Sequence, residues 1–497
     1  MVVLEWRKPV RKIRHLILGC LVTLGVVALT AACPSAAAPS PVAPDTNADL
    51  AAYLSAVAVD QNIPGMAAAV VTPDATRFEW LNGDDGNGAP IRPDTPFLIG
   101  SVAKSMTAAL IVQRVNRGEL ALSEPISNHL PWLADASPTV EQLLTHTSGY
   151  STADGLAVAE RFDNTDGAVR HAAEDLEHSG TRGRYEYSDA NYLILGALIE
   201  ELDGRPFGEA LRSDLVEPLG MHHTATTSEA AANLSAGHRY WWGTPRSHSS
   251  GFDDSGTPYG YVASTLDDMV RYARAQNGGA PDVLSPDALR QLHDPRVDAG
   301  DDEYGYGWRI TPSDLGPLVH HTGATPGYFA HVMLGPEGQA VVILANAYSE
   351  AKAPALASIA ENLLLILDGR SPTAAGADPL LTALPSLVST LAALGLVIAI
   401  ASWWRPARRG LRWTMAAAAI VIIGALWLLP SLFGINLRVM RIWMPDAAIM
   451  LIASLITWSL AAALLILPAR FAIGRSRTQP PPASATGQQC LQSTAHD

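Results

Sequence analysis

Three apolar stretches near the C-terminus, roughly residues 380–402, 413–434 and 447–468, divide this chain before any other feature does. Each reaches the ~20 residues that a helix needs to cross a bilayer. Residues 379–470 are therefore expected to form three transmembrane helices. Tryptophans at their edges (Trp403, Trp404, Trp413 and Trp443) fit interfacial anchors. The first connecting loop, Arg405 to Arg412, has four arginines, and the tail has Arg470, Arg475 and Arg477. The second loop sets Arg438 and Arg441 against Asp446. The excess of arginine puts the first loop and the tail in the cytoplasm, and an odd number of spans then puts residues 41–378 outside the cell membrane. The spans hold almost no ionisable residue at mid-depth, so anchoring is expected of them rather than transport or sensing.

The other end of the chain points the same way. Arg7, Lys8, Arg11, Lys12 and Arg14 precede an apolar run from Leu16 to Ala32 and then an Ala/Pro/Ser stretch, the order of an export signal over residues 1–40. Leu29-Thr30-Ala31-Ala32-Cys33 resembles a lipobox whose cysteine would be lipidated, although the leucine sits one place farther from the cysteine than usual. Ala36-Ala37-Ala38 offers an ordinary cleavage site as well. Residues 471–497 read as a disordered cytoplasmic tail, Pro/Ser/Gln-rich beyond Pro480.

Charge separates along the same boundaries. Residues 41–378 carry 45 of the 48 acids but 20 of the 34 bases, and the flanks are basic. So acidic a body excludes nucleic acid as a partner, because phosphates dock on basic surfaces. The three cysteines, at positions 20, 33 and 490, all lie outside it, so it has neither a disulfide nor a cysteine zinc site.

Within the body the patterning is α+β. An amphipathic helix is expected at 46–61, and strands at Gly65 to Thr72 and Thr76 to Leu81 flank a Pro-Asp turn. A helix from Ser101 to Arg117 stops at Gly118. Further helices are expected at 140–146, 164–177, 189–203 and 206–216, strands at 304–311, 327–334 and 340–346, and a closing helix at 350–368. Strands from both ends with helices between them predict one antiparallel sheet flanked by helices, with a helical subdomain inserted.

Three short motifs carry chemistry. In Ser101-Val102-Ala103-Lys104 the i, i+3 spacing puts the amine within reach of the hydroxyl, at a helix start where free N–H groups favour negative charge. A serine becomes a useful nucleophile only when a neighbouring base takes its proton. The bland alternative is a capping serine beside an incidental lysine, and the chain holds a control: Ser349-Glu350-Ala351-Lys352 fits the same pattern, and is read as a cap. The second motif, Tyr187-Ser188-Asp189, reads alone as an aromatic strand-to-helix junction. The third, His321-Thr322-Gly323-Ala324, reads alone as a glycine turn entering a strand. The pairs His222-His223 and His320-His321 lack an obvious carboxylate partner, and no metal site is expected.

The order and context of these motifs resemble the penicillin-recognising serine hydrolases, the family of class C-type β-lactamases, penicillin-binding DD-peptidases and related esterases. Supporting stretches are Leu143-Leu144-Thr145-His146-Thr147-Ser148-Gly149, Pro218-Leu219-Gly220-Met221 and Tyr304-Gly305-Tyr306-Gly307-Trp308, and the likeness covers about residues 46–368. It implies a serine hydrolase with a β-lactamase/transpeptidase-like fold. Ser101 would be acylated, Lys104 and Tyr187 would share proton transfer, and His321 and Thr322 would contact the polar end of the substrate. Backbone N–H groups of Ser101 and Ala324, beside Gly323, would form an oxyanion hole. No cofactor would be needed. Expected substrates are small molecules or peptides with an acyl group: cell-wall D-Ala peptides, β-lactams or small esters. The competing expectation is a weakly catalytic or non-catalytic peptidoglycan-binding or receptor domain on a membrane anchor.

Asp189 departs from the pattern, which often has Tyr-x-Asn. An amide both donates and accepts, whereas a carboxylate only accepts. A carboxylate here would hold Lys104 as a fixed cation, leave more of the base work to Tyr187, and favour ester-like substrates.

Overall fold

The computed structural model describes residues 46–404 and 408–467. The export signal, the cysteines and the C-terminal tail lie outside the described residues. In chain order the main elements are α1 (Thr46–Asp60), β1 (Gly65–Val71), β2 (Thr76–Gly83), α2 (Ala103–Asn116), α3 (Asp189–Asp203), α4 (Leu266–Arg274), β3 (Val297–Asp298), β4 (Glu303–Tyr304), β5 (Arg309–Thr311), β6 (Leu318–Thr325), β7 (Tyr328–Leu334), β8 (Ala340–Ala345), α5 (Ala353–Leu367), α6 (Pro379–Trp404), α7 (Arg409–Leu432), α8 (Leu437–Trp443) and α9 (Pro445–Ile466).

The eight strands form one antiparallel sheet in the order β2-β1-β8-β7-β6-β5-β4-β3. Its central strands are apolar along their whole length because both faces are covered. The strand period of two then divides the side chains. Ala67, Ala69 and Val71 of β1 join Val342 and Leu344 of β8 in the core shared with α2, α3 and α4. Met66, Ala68 and Val70 join Val341 and Ile343 in the core under α1 and α5.

Several expected elements take a different form. The single strand expected at 304–311 is two short strands around the Gly305–Trp308 turn, because Gly307 has φ +76° and packs against the backbone of Ser105. The helix expected at 206–216 widens into a π turn over Arg212–Val216. There Asp214, with Asp203 and Arg205, surrounds the fully buried guanidinium of Arg114. The hairpin 237–248 has no counterpart in the sequence reading. Ser349 does not cap: its side chain makes no bond to the turn it precedes, and Lys352 lies 4.7 Å over the Tyr240 ring instead.

Helices α6, α7 and α9 are long and apolar enough to cross a membrane. They pack through Leu384, Val388, Ala419, Leu451 and Trp458. The Trp458 indole donates to Leu391 O at 3.0 Å and Ser454 to Val388 O at 2.9 Å. The short helix α8, between α7 and α9, lies against the body. Trp443 packs edge-on against Tyr348. Arg239 Nη1 donates to Ile442 O at 3.0 Å, and Trp242 N to Asp446 Oδ2 at 2.9 Å.

Candidate active site

Ser101 stands on a 3-10 turn, Gly100–Val102, that leads into α2. Gly100 has φ +54°, and a Cβ on it would fall 2.3 Å from Ala324 N. A Cβ on Gly323 would fall 1.8 Å from Ile99 O and 2.9 Å from Ser101 N. Two glycines thus let β6 lie against the turn that holds Ser101, which draws the N–H groups of Ser101 and Ala324 into one neighbourhood. This explains the third motif. Gly323 lies inside β6, paired with Ala330, and is no turn.

Lys104, one turn on, is wholly buried. Its Nζ lies 3.0 Å from Ser101 Oγ, 2.6 Å from Asp189 Oδ1 and 2.9 Å from Tyr259 O. An ammonium has three donors and no acceptor, and here it meets three acceptors. The Asp189 carboxyl retains some exposure, 22%. It sits in the first turn of α3, where the helix N-terminus also favours its charge. The preceding Ser188 caps that helix through Ala190 N, and its hydroxyl donates to Ser151 O at 2.6 Å.

Tyr187 is buried, and two cations lie near its ring: Lys104 Nζ at 5.0 Å from the centroid and the Arg309 guanidinium at 5.5 Å. Behind it stand residues to which the sequence reading gave no role. The His146 ring lies 4.4 Å from that of Tyr187. Its Nδ1 accepts from Ser188 N at 3.2 Å and from Asn191 Nδ2 at 3.0 Å, so its proton is on Nε2 and points to Tyr304 Oη at 3.3 Å. Tyr304 Oη in turn donates to His321 Nε2 at 3.2 Å, and His321 Nδ1–H donates to Thr322 O at 2.7 Å. The chain His146–Tyr304–His321 is directed and needs both imidazoles neutral. Burial, with the charges of Lys104 and Arg309 adding to it, holds both histidines well below their usual protonation range.

The structure therefore brings Ser101, Lys104, Tyr187, Asp189, Gly323 and Ala324 together. His321 is near them, but both its ring nitrogens are used within the protein. Strand alternation turns Thr322 to the opposite face, with His320 and His331, and it is almost fully buried. His320 and His331 bond each other at 3.1 Å, and Thr311 holds His320 Nε2 at 2.8 Å. His146 and Tyr304 lie inside stretches that the sequence singled out, yet no local spacing links them. Only the fold does.

The Beta-lactamase family model matches residues 48–364. The chain is 31% identical over 316 residues to "Penicillin-binding protein 4" of Amycolatopsis lactamdurans, covering 59% of this chain and 83% of that protein. It is 28% identical over 366 residues to "Beta-lactamase" of Escherichia coli (strain K12), covering 65% and 94%. Protein flp of Staphylococcus aureus (strain N315) is 25% identical over 272 residues, about half of each chain (52% and 54%). Among solved structures, the octameric penicillin-binding protein homologue from Pyrococcus abyssi superposes with TM-score 0.58 at 22% identity, covering 69% of this chain and 81% of that one. The D-alanine carboxypeptidase AmpC from Burkholderia cenocepacia gives 0.54 at 22% identity, covering 64% and 98%. The fold has the α+β architecture of β-lactamases and transpeptidases, and the family match and the relatives make the chain a serine hydrolase. The chain belongs to the Beta-lactamase family, with three C-terminal helices long and apolar enough to cross a membrane.

Proposed function

We propose that this protein is an extracytoplasmic serine hydrolase, held at the cell membrane by its three C-terminal helices, that forms an acyl-enzyme on Ser101. The observation that carries this reading is Lys104 Nζ, 3.0 Å from Ser101 Oγ and 2.6 Å from Asp189 Oδ1. Ser101 Oγ attacks a carbonyl carbon, and its proton leaves through Tyr187 Oη and Lys104 Nζ. The carbonyl oxygen gathers charge beside the N–H groups of Ser101 and Ala324. The bond to the leaving group breaks as that group takes the proton, and water then repeats the sequence on the ester. With Nζ facing three acceptors, Lys104 serves as a fixed cation. Tyr187 carries more of the proton transfer, and negative charge developing on its oxygen is favoured by Lys104 and Arg309.

Candidate substrates are cell-wall D-Ala peptides, β-lactams and small esters. Asp189 supplies no donor for an amide carbonyl, which favours the esters. Orientation outside the cytoplasm is supported by the arginines of the first loop and by the packing of α8 on the body, which puts the second loop and the body on one side. The test is a panel of D-Ala-D-Ala peptides, chromogenic lactams and p-nitrophenyl esters, with fluorescent penicillin as covalent label and Ser101→Ala as control. Turnover or labelling that Ser101→Ala abolishes supports the reading. Activity that survives the substitution overturns Ser101 as the acylated residue, and neither turnover nor labelling on any compound overturns the reading in favour of a binding domain.

A further inference from the structure

The helix Thr152–Val158 lies directly behind the second motif. A Cβ on Gly155 would come within 2.7 Å of Asp189 N and 2.8 Å of Ser188 Oγ, so helix and motif touch at the backbone. Thr152 Oγ1 donates to Tyr187 O at 2.6 Å, and Thr152 N to Glu186 Oε1 at 3.0 Å. Any shift of this helix therefore moves Tyr187 and Asp189. A helix leaves its last carbonyls without an internal partner, and here one of them, Leu156 O, and the carbonyls of Ala159 and Glu160 just past the helix end are met from the membrane unit. The Arg438 guanidinium of α8 donates to Leu156 O at 3.4 Å, to Glu160 O at 3.0 Å and to Ala159 O. A cation at that end also opposes the helix dipole. The segment it grips leaves the helix through Glu160 at φ +52° and Phe162 at φ +54°, a left-handed backbone that non-glycine residues enter only when held there. Beside Arg438 the packing is loose: a cavity of about 280 Å³ lies between Ala153 and Leu156 on the body and Ile435 and Val439 on the linker.

We propose that Arg438 is a positioning residue for the hydrolase site, through which the linker between α7 and α9 sets the placement of Tyr187 and Asp189. The inference rests on the proposed function for its kinetic readout but not for its structural one. The order of contacts is Arg438, the carbonyls of 156–160, the helix 152–158, and then the Tyr187-Ser188-Asp189 corner. The membrane unit is thereby part of the catalytic body as well as an anchor.

The test uses the full chain in detergent or lipid discs, comparing Arg438→Ala and Arg438→Lys with Arg239→Ala, which removes a separate bond between α8 and the body. Arg438→Ala is expected to lower kcat roughly tenfold with KM little changed, as a small misplacement of reacting groups does. Amide exchange should quicken at 152–160 and also at 187–191. Lysine, with fewer donors, should restore part of both effects. Arg239→Ala should leave kcat and exchange at 187–191 as in the parent. Faster exchange confined to 156–160, or equal losses in Arg438→Ala and Arg239→Ala, overturns the proposal. If the parent protein turns over nothing, the proposed function fails, while exchange at 187–191 still decides this inference.

Discussion

Lys104 and Asp189 meet at 2.6 Å, with the amine fully buried and the carboxylate at the partly open end of the site. The pair couples α2 to the start of α3, and it is the point where this chain departs from the Tyr-x-Asn pattern. Asparagine at 189 would keep an acceptor for Nζ while adding a donor toward substrate. Asp189→Asn is therefore expected to raise kcat/KM on lactams relative to p-nitrophenyl esters. It should also lose about 2 kcal/mol of stability, since a hydrogen bond to a charged partner is weakened. The ester-to-lactam ratio and a thermal melt check the two effects separately. An unchanged ratio overturns the assignment of specificity to Asp189.

Gly323 offers a test of the proposed oxyanion hole. An alanine there sets a methyl 1.8 Å from Ile99 O, which is main chain and cannot swing aside, so β6 must move away from Ser101. Gly323→Ala is expected to slow acylation by a factor on the order of 10²–10³, as when one oxyanion donor is lost. Stopped-flow labelling with fluorescent penicillin measures it. An acylation rate within twofold of the parent's excludes Ala324 N–H as a donor.

What the sequence made legible was what short spacing encodes. Ser101 and Lys104 lie one helical turn apart, and the stretch from Asp189 to Asp203 is helical from first residue to last as read. The short apolar runs of β1 and β8, bounded by turn residues, announced strands. Gly323 misled the local reading because glycine disfavours a strand interior; the reason for it is Ile99, distant in the chain and adjacent in space. The Ser349 copy shows the converse, a matching spacing with neither chemistry nor cap behind it. His146, Tyr304 and Arg309 were out of reach for the same reason: their roles consist of contacts made across the fold.

The buried histidines set an acid limit on stability. Burial pushes His320 down to about 3 and His293 down to about 4, and His146, His321 and His331 well below the usual value. Below pH 6.5 the unfolded chain takes up protons that the folded one refuses, so stability is full above that pH and declines as pH falls. Each such histidine contributes at most ~1.4 kcal/mol per pH unit. Melts from pH 7.5 to 4.5 should show this slope, and His320→Asn should reduce it by about one proton. A flat profile would mean that the imidazoles are not held neutral.

Glu160 titrates in the opposite sense. It is buried beside Asp189 and Asp253, and desolvation, followed by the repulsion of Asp189, pushes it up to about 8; the charge of Arg438 opposes this. The unfolded carboxyl releases its proton near 4.5, whereas the folded one keeps it until about 8. Between those values the unfolded chain binds fewer protons, so this group lowers stability progressively as pH rises through the window, and the loss is complete above it. Glu160→Gln keeps the shape of the neutral acid and cannot ionise. The variant should match the parent near pH 4.5 and be the more stable of the two at pH 8.5, with the gap opening between. Thermal melts of both proteins across that range measure the gap. Equal melting temperatures at pH 8.5 would show that Glu160 ionises freely, and that the segment held by Arg438 is open to water.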